Sequence, residues 1–430
     1  METPAAVAPS SNSANPTGRL SERWFLLLLA LVQFTHIMDF MIMMPLGPQL
    51  MRVLSLTPGQ FGSLISSYTL TSGLIGLLVS PFIDRFGRKR LLLWTYAGFG
   101  LGTLACALSH DAGSLLLARA VCGMFGGISN VLVMVITADV VPPERRATAM
   151  GIIMTAFSAA AAFGVPFGLQ LAQWFTWETP FFLLAAISAG VWMLLALLLP
   201  PMRGHLAGNG ADVMRSFVEL LRSSNVGWAL LFMVAMVGGH FVMIPFLSPH
   251  LVLNMGLPER DLSLVYFVGG IATVFSAPTI GRLADRHGRK EVFTVVVLVA
   301  CVVVLAIANS GPLPVVGVLT LTLLLFVFAS GRFVPGQAIV SLAVPARQRG
   351  TFMSLSACSR DVVSGVSATL GGLIVGGAGG SLTGFRWLGW VAVGMSLVSL
   401  WLVRKVESAE TKPESNAEAA PIEPASVPAD

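Results

Sequence analysis

The chain has 430 residues, of which 55% are hydrophobic and 11% charged, with a mean hydropathy of +0.80 and a formal net charge of +5. A water-soluble domain carries roughly 25% charged residues, so this composition excludes a soluble globular protein and predicts an all-α membrane protein. The four cysteines, Cys106, Cys122, Cys301 and Cys358, all lie inside apolar runs. Cysteine behaves there as a small hydrophobe, so no disulfide framework, metal site or cofactor is expected.

In chain order, the opening METPAAVAPSSNSANPTGRLSER lacks a short apolar core before a small-residue cleavage site, so no cleavable signal peptide is expected. Residues 1-22 are expected to form a disordered cytoplasmic tail. A helix that crosses about 30 Å of hydrocarbon needs about 20 apolar residues. That ruler marks twelve spans, at 24-50, 58-83, 88-108, 113-138, 146-172, 179-200, 226-251, 261-283, 291-309, 313-343, 349-377 and 383-404. A polar, glycine-containing linker, 201-225, divides them into six-helix bundles over 23-200 and 226-405, and the acidic, Pro/Ala/Ser-rich tail, 406-430, is expected to be disordered.

Lys and Arg accumulate in cytoplasmic loops. With both termini cytoplasmic, twenty of the 26 basic residues fall on the inner side, only Arg52, Arg260 and Arg386 on the outer side, and Arg119, Arg332 and Arg360 within the membrane. The inner loops therefore account for the net positive charge, and no nucleic-acid partner is implied. Trp174, Trp177, Trp387 and Trp390 fall near the outer interface, where aromatic anchors are expected.

Two loop patterns recur about 200 residues apart. Asp84, Arg85, Gly87, Arg88 and Lys89 match Asp285, Arg286, Gly288, Arg289 and Lys290 in a shared D-R-x-G-R-K skeleton, and VVPPERRATAMG from Val140 is echoed by LAVPARQRGTFMS from Leu342. The repeats indicate duplication. The sequence here resembles the major facilitator superfamily, whose signature loop is G-x-x-x-D-R-x-G-R-R/K. The second copy matches fully from Gly281, whereas the first has Ser80 at the leading position. The resemblance spans roughly residues 20 to 405 and implies twelve helices in two pseudo-symmetric six-helix bundles. Asp84 stands where a carboxylate can cap a helix of the other half, and Arg88 is placed to pair with Asp139. Such contacts would latch the halves in one state, and the positive-inside rule is the plainer explanation of the same cations. The position matching Asp139 in the second half falls near Ser341, with no acid beside it, so the first-half latch is expected to be the stronger.

Charge inside a membrane helix is costly, so it calls for a functional hypothesis or a packed structural pair. Asp39 lies well inside the first span with His36 three residues earlier on the same face, an arrangement expected to make a titratable pair. A proton-coupling carboxylate and a structural hydrogen bond are both open readings. Arg119 and Gly123 resemble the family's fourth-helix R-x-x-x-G motif, whose arginine is associated with proton transfer in drug:proton antiporters. Gly164, Pro166 and Gly168 resemble the antiporter motif only loosely, closer to the arabinose-efflux-permease-like branch. Arg332, Arg360, Asp361, His240 and Ser356 are candidate lining of a substrate cavity. Arg360 shares a helical stripe with Ser356, Ser364 and Ser367, which suits a wet cavity or close packing of small residues, and either Arg360 or Asp361 is expected to meet Arg332 or another helix.

No phosphate-cradling P-loop, nucleophile elbow or metal-binding H-E-x-x-H is present in the sequence. The expectation is therefore a non-enzymatic secondary transporter of a bacterial inner membrane, working as a monomer by alternating access. Proton-driven export of a small amphipathic compound leads; proton-coupled import of a sugar or organic acid is the alternative, and a non-transporting membrane sensor the outlier.

Overall fold

The computed structural model describes residues 21-142, 145-200, 202, 220, 222-345, 348-378 and 381-409. The expected N-terminal tail and most of both the 201-225 linker and the C-terminal tail lie outside this set. Among the described residues twelve long helical segments follow one another: α1 Glu22–Ile42, α2 Pro58–Val79, α3 Arg88–Ala107, α4 Ala112–Val140, α5 from Arg146–Ala159 to Val165–Trp174, α6 Thr179–Leu198, α7 Ser224–Phe241, α8 Leu262–His287, α9 Arg289–Asn309, α10 from Val315–Leu325 to Phe333–Leu342, α11 Arg349–Ile374 and α12 Phe385–Lys405. Ten of them are long and apolar enough to cross a membrane. The other two are α3, which opens on Arg88, Lys89 and Arg90, and α11, which carries Arg349, Arg360 and Asp361 among serines and glycines.

Local chemistry sets several of these boundaries. Thr57 and Gln60 form a reciprocal capping box at the start of α2, with Pro58 where its missing N–H costs nothing. Asp111 accepts from the Gly113 and Ser114 amides at the start of α4, and these hydrogen bonds hold its carboxyl below the usual range. The expected first and seventh spans are shorter than the hydropathy ruler suggested. The first stops at Ile42, turns, and resumes as a short helix at Gly47–Val53; the seventh stops at Phe241 and resumes at Leu247–Leu253 after a tight turn at Ile244–Phe246. Pro45 and Pro48, and Pro245 and Pro249, supply the breaks, because proline removes an N–H donor and clashes with the preceding turn. In α5 and α10 the chain widens into π turns, Ala160–Gly164 and Phe326–Ser330, upstream of Pro166 and Pro335. The expected eleventh span ends early too: after Ile374 the chain forms an antiparallel hairpin, β1 Gly376–Ala378 with β2 Ser381–Thr383, tied to Asn254 by two hydrogen bonds of 2.8 Å at Leu382.

Within the first half, α2 and α3 pack on α4, α3 on α6, and α1 on α5; within the second, α12 packs on α7 and α9. The interior is aromatic and aliphatic, with Phe25, Tyr96, Phe99, Phe232, Phe293 and Phe385 fully buried. The halves meet along α2 and α11, the most extensive helix pair among the described residues, and along α5 and α8. Glu22, Arg88, Arg289 and Lys405 mark one face, called here the terminal face; Arg52, Asp111 and Glu259 mark the opposite face. Trp174, Trp387 and Trp390 are exposed near the opposite face, but Trp177 is buried against Phe181, so it packs the core rather than anchoring the surface.

Candidate functional site

Asp39 sits one turn before the end of α1, and four helices converge on it. Arg119 of α4 donates from Nη1 to Asp39 Oδ2 at 2.6 Å and to the Asp39 carbonyl at 3.3 Å, and Thr103 of α3 donates to Oδ1 at 3.2 Å. Tyr68 of α2 lies under the guanidinium, 4.5 Å from ring centroid to Cζ. Both charged side chains are 0% exposed, so this is a fully desolvated ion pair. Gly123, one turn beyond Arg119, lets α2 pass closely enough for this stacking, since a Cβ there would fall 2.1 Å from the Tyr68 carbonyl oxygen. Asp39 thus has both oxygens engaged, whereas Arg119 Nε and Nη2 have no hydrogen-bond partner. Cys106 and Cys122 lie beside the pair with their sulfurs 3.9 Å apart.

The partner expected from helical spacing is not the one observed. His36 packs edge-on against Phe99 at 4.1 Å, and neither of its ring nitrogens makes a hydrogen bond. An i, i+3 relation puts two side chains on one helical face, but here the aromatic slot of α3 takes the imidazole and the carboxylate turns to α4.

The second half builds its centre differently. His240 stands 201 residues after Asp39, the same offset that separates Asp84 from Asp285, and each is followed by a phenylalanine. Those two rings, Phe40 and Phe241, meet across the halves at 6.0 Å. His240 lies between Phe241 and Phe333, at 5.4 and 5.1 Å. Arg332 is buried, donating to Ser396 Oγ at 2.7 Å and to the Met236 carbonyl at 3.3 Å. It therefore meets neither Arg360 nor Asp361. Asp361 instead accepts from Ser72 Oγ of α2 at 2.8 Å, a bond between the halves, and Arg360 Nε lies 3.8 Å from Asp361 Oδ1. The serine stripe is buried: Ser356, Ser364 and Ser367 are 2%, 3% and 6% exposed, and Ser364 donates to the Arg360 carbonyl of its own helix. Arg360, on the same stripe, keeps 35% of its side chain exposed.

At the terminal face, Arg88 Nε donates to Asp139 Oδ2 at 3.0 Å and Lys89 caps the end of α6 through the Ala196 and Leu199 carbonyls, at 2.8 and 2.5 Å. The side chains of Asp84 and Arg85 lie outside the described residues. In the second copy Asp285 lies 3.7 Å from Arg289, both largely exposed, and Lys290 donates to the Val406 carbonyl at 2.6 Å. Arg286 is exposed, and Gly281 faces Val334 of α10. The two signature glycines differ as well: Gly87 has φ −63°, while Gly288 has φ +96°, a conformation that side chains disfavour. All of these terminal-face pairs stay within one half.

The opposite face holds a clasp that the sequence did not announce. Arg52, after the first helix break, forms a bidentate pair with Glu259 at the head of α8; Gln173 of α5 donates to the Glu259 carbonyl at 2.9 Å, and Ser263 donates to Gln170 at 3.4 Å. Arg52 and Glu259 are 207 residues apart with no repeat or motif between them, so only the fold brings them together. Arg52 is 62% exposed and Glu259 30%, which limits such a pair to about 1 kcal/mol or less. Glu259→Gln is expected to raise thiol-labelling rates at the opposite face by no more than about fivefold; a labelling rate equal to that of the parent would show that the clasp does not hold this face shut.

A family model described as "Major Facilitator Superfamily" matches residues 29–368 and again 231–428. The chain is 24% identical over 356 residues to the uncharacterized MFS-type transporter YceJ of Bacillus subtilis, covering 82% of this chain and 90% of that protein. It is 25% identical to a probable sugar efflux transporter of Helicobacter pylori, covering 80% and 85%. A crystal structure of a bacterial homolog to the human lysosomal transporter Spinster, inward-facing and occupied, superposes with a TM-score of 0.72 at 17% identity, over 89% of this chain and 96% of that one.

Proposed function

Because the chain belongs to the Major Facilitator Superfamily and is a membrane transporter, we propose that it exports a small amphipathic compound in exchange for protons by alternating access. The observation that carries this reading is the Asp39–Arg119 pair, buried where four helices of one half meet. Protonating Asp39 removes the charge that holds Arg119, so the contact between α1 and α4 loosens; losing the proton restores it. A carboxylate used this way needs an exchangeable partner, and Arg119 has two unsatisfied nitrogens available to a new one. The excess of Lys and Arg on the terminal face supports a cytoplasmic placement for both termini in a bacterial inner membrane. On that orientation the clasped opposite face is the outer one, and the arrangement described is closed to the outside. The relative named as a sugar efflux transporter supports export and makes polar hydroxylated compounds the first to try.

The test uses everted vesicles, an imposed proton gradient and a compound panel that includes sugars. The parent should accumulate its substrate in response to the gradient, and Asp39→Asn should lose that response while retaining substrate counterflow. Unchanged gradient dependence in Asp39→Asn would remove Asp39 from the coupling path.

A further inference from the structure

The two halves treat a buried guanidinium in opposite ways. Arg119 receives a carboxylate, Asp39, at 2.6 Å. Arg332 is 3% exposed and receives only neutral acceptors, the Ser396 hydroxyl and the Met236 carbonyl, while its Nε has no partner. Arginine stays protonated in proteins, so this charge is not removed by releasing a proton. An uncompensated charge in a low-dielectric interior is strongly unfavourable. The cation–π contact with Phe333, 5.9 Å from Cζ to the ring centroid, sits at the outer edge of that interaction's range and is too weak there to replace a counter-ion.

Arg332 also lines a cavity of about 10 Å³, together with His240, Cys301, Ala329, Val393 and Ser396. No carboxylate borders it. The cavity lies inside the second bundle, between α7, α9, α10 and α12, behind the seam where the halves meet. Its size suits a single water-sized body, which a halide approximates and an organic carboxylate exceeds. The Ser396 hydroxyl accepts from Arg332 and donates to the Ala392 carbonyl of its own helix at 2.7 Å, so its proton reaches such an ion only by turning away from that carbonyl.

We propose that this cavity is a binding site for one small monovalent anion, chloride in the first instance, held by Arg332 and Ser396 and serving as the counter-ion that the second half lacks. The site is independent of the proposed direction of transport and of Asp39, because it lies in the other half. Ligand that binds the folded state raises its stability saturably, and this provides the readout. The full chain is purified in sodium gluconate, and its thermal unfolding is followed as chloride or bromide replaces gluconate at constant ionic strength. The parent should show a saturable rise in Tm with chloride and bromide. Arg332→Gln should lose that halide-dependent rise, and Ser396→Ala, which keeps the charge, should need about tenfold more chloride for half the effect, as expected for losing one hydrogen bond to a charged partner. Equal Tm values in chloride and gluconate for the parent, or an undiminished halide response in Arg332→Gln, would overturn the proposal. If Arg332→Gln does not fold, Ser396→Ala decides the matter, and an unchanged half-saturating chloride concentration there counts against the site.

Discussion

Asp39→Ala should destabilise the protein by about 3–5 kcal/mol, because it leaves the Arg119 charge buried without a partner. The mirror change, Arg119→Ala, should cost a similar amount by stranding the carboxylate. The double variant should cost much less than the sum of the two, since neither charge is then left unpaired. The physical basis is on display in the geometry: both side chains are fully buried, the contact is 2.6 Å, and Thr103 alone engages the remaining carboxylate oxygen at 3.2 Å. Unfolding of the three variants and the parent in detergent gives a double-mutant cycle that isolates the interaction. A cycle closing with no coupling energy would mean that the pair contributes nothing as a pair, and the proposed proton exchange would lose its physical basis. Transport should fall in both single variants, but Asp39→Asn, closer in shape, separates coupling from folding.

Much of this architecture was legible because it is encoded locally. Twelve helical runs and two repeated charged loops are properties of contiguous segments; the runs appear as twelve helices among the described residues, ten of them long and apolar enough to span a membrane. The errors also have local causes. The hydropathy ruler ran straight through Pro45 and Pro48 because the residues around them stay apolar, although proline ended the helix at Ile42. The His36 expectation used helical spacing correctly but could not see Phe99 on α3, which claims the imidazole. The pairs that define the site are separated by 80 residues for Asp39 and Arg119, 289 for Ser72 and Asp361, and 207 for Arg52 and Glu259. No period or motif links such positions; only the packing of α1 on α4, α2 on α11 and α5 on α8 does. The serine stripe shows the converse limit, since its periodicity was real but equally compatible with a buried seam, which is where it lies.

That seam gives the second large expected effect. Gly62 of α2 faces α11 so closely that a Cβ would fall 2.8 Å from the Ala368 carbonyl oxygen, 3.2 Å from the Phe246 ring and 3.3 Å from Gly372 Cα. Backbone cannot rotate out of the way, so Gly62→Val must push α2 and α11 apart, at a cost of about 1–3 kcal/mol typical of overpacking. Under alternating access this penalty applies only while the opposite face is closed, because α2 and α11 separate there in the other state. The variant should therefore shift the balance of states by roughly 5- to 150-fold away from the arrangement described. Gly59, nearly one turn earlier, is the internal comparison: a Cβ there meets Gly372 O at 3.5 Å, an ordinary contact, so Gly59→Ala should leave the balance nearly unchanged. Spin labels at positions 53 and 260, exposed neighbours that leave the Arg52–Glu259 pair in place, report the separation of the halves at that face, and the Gly62→Val distribution should move to longer distances while that of Gly59→Ala does not. If both variants keep the parent's distribution, α2 and α11 yield locally without moving the halves, and the seam is not part of a gate. If Gly62→Val shifts the distribution and transport falls with it, the close approach of two backbones is what stabilises the closed face, and the exposed clasp of Arg52 and Glu259 is secondary to it.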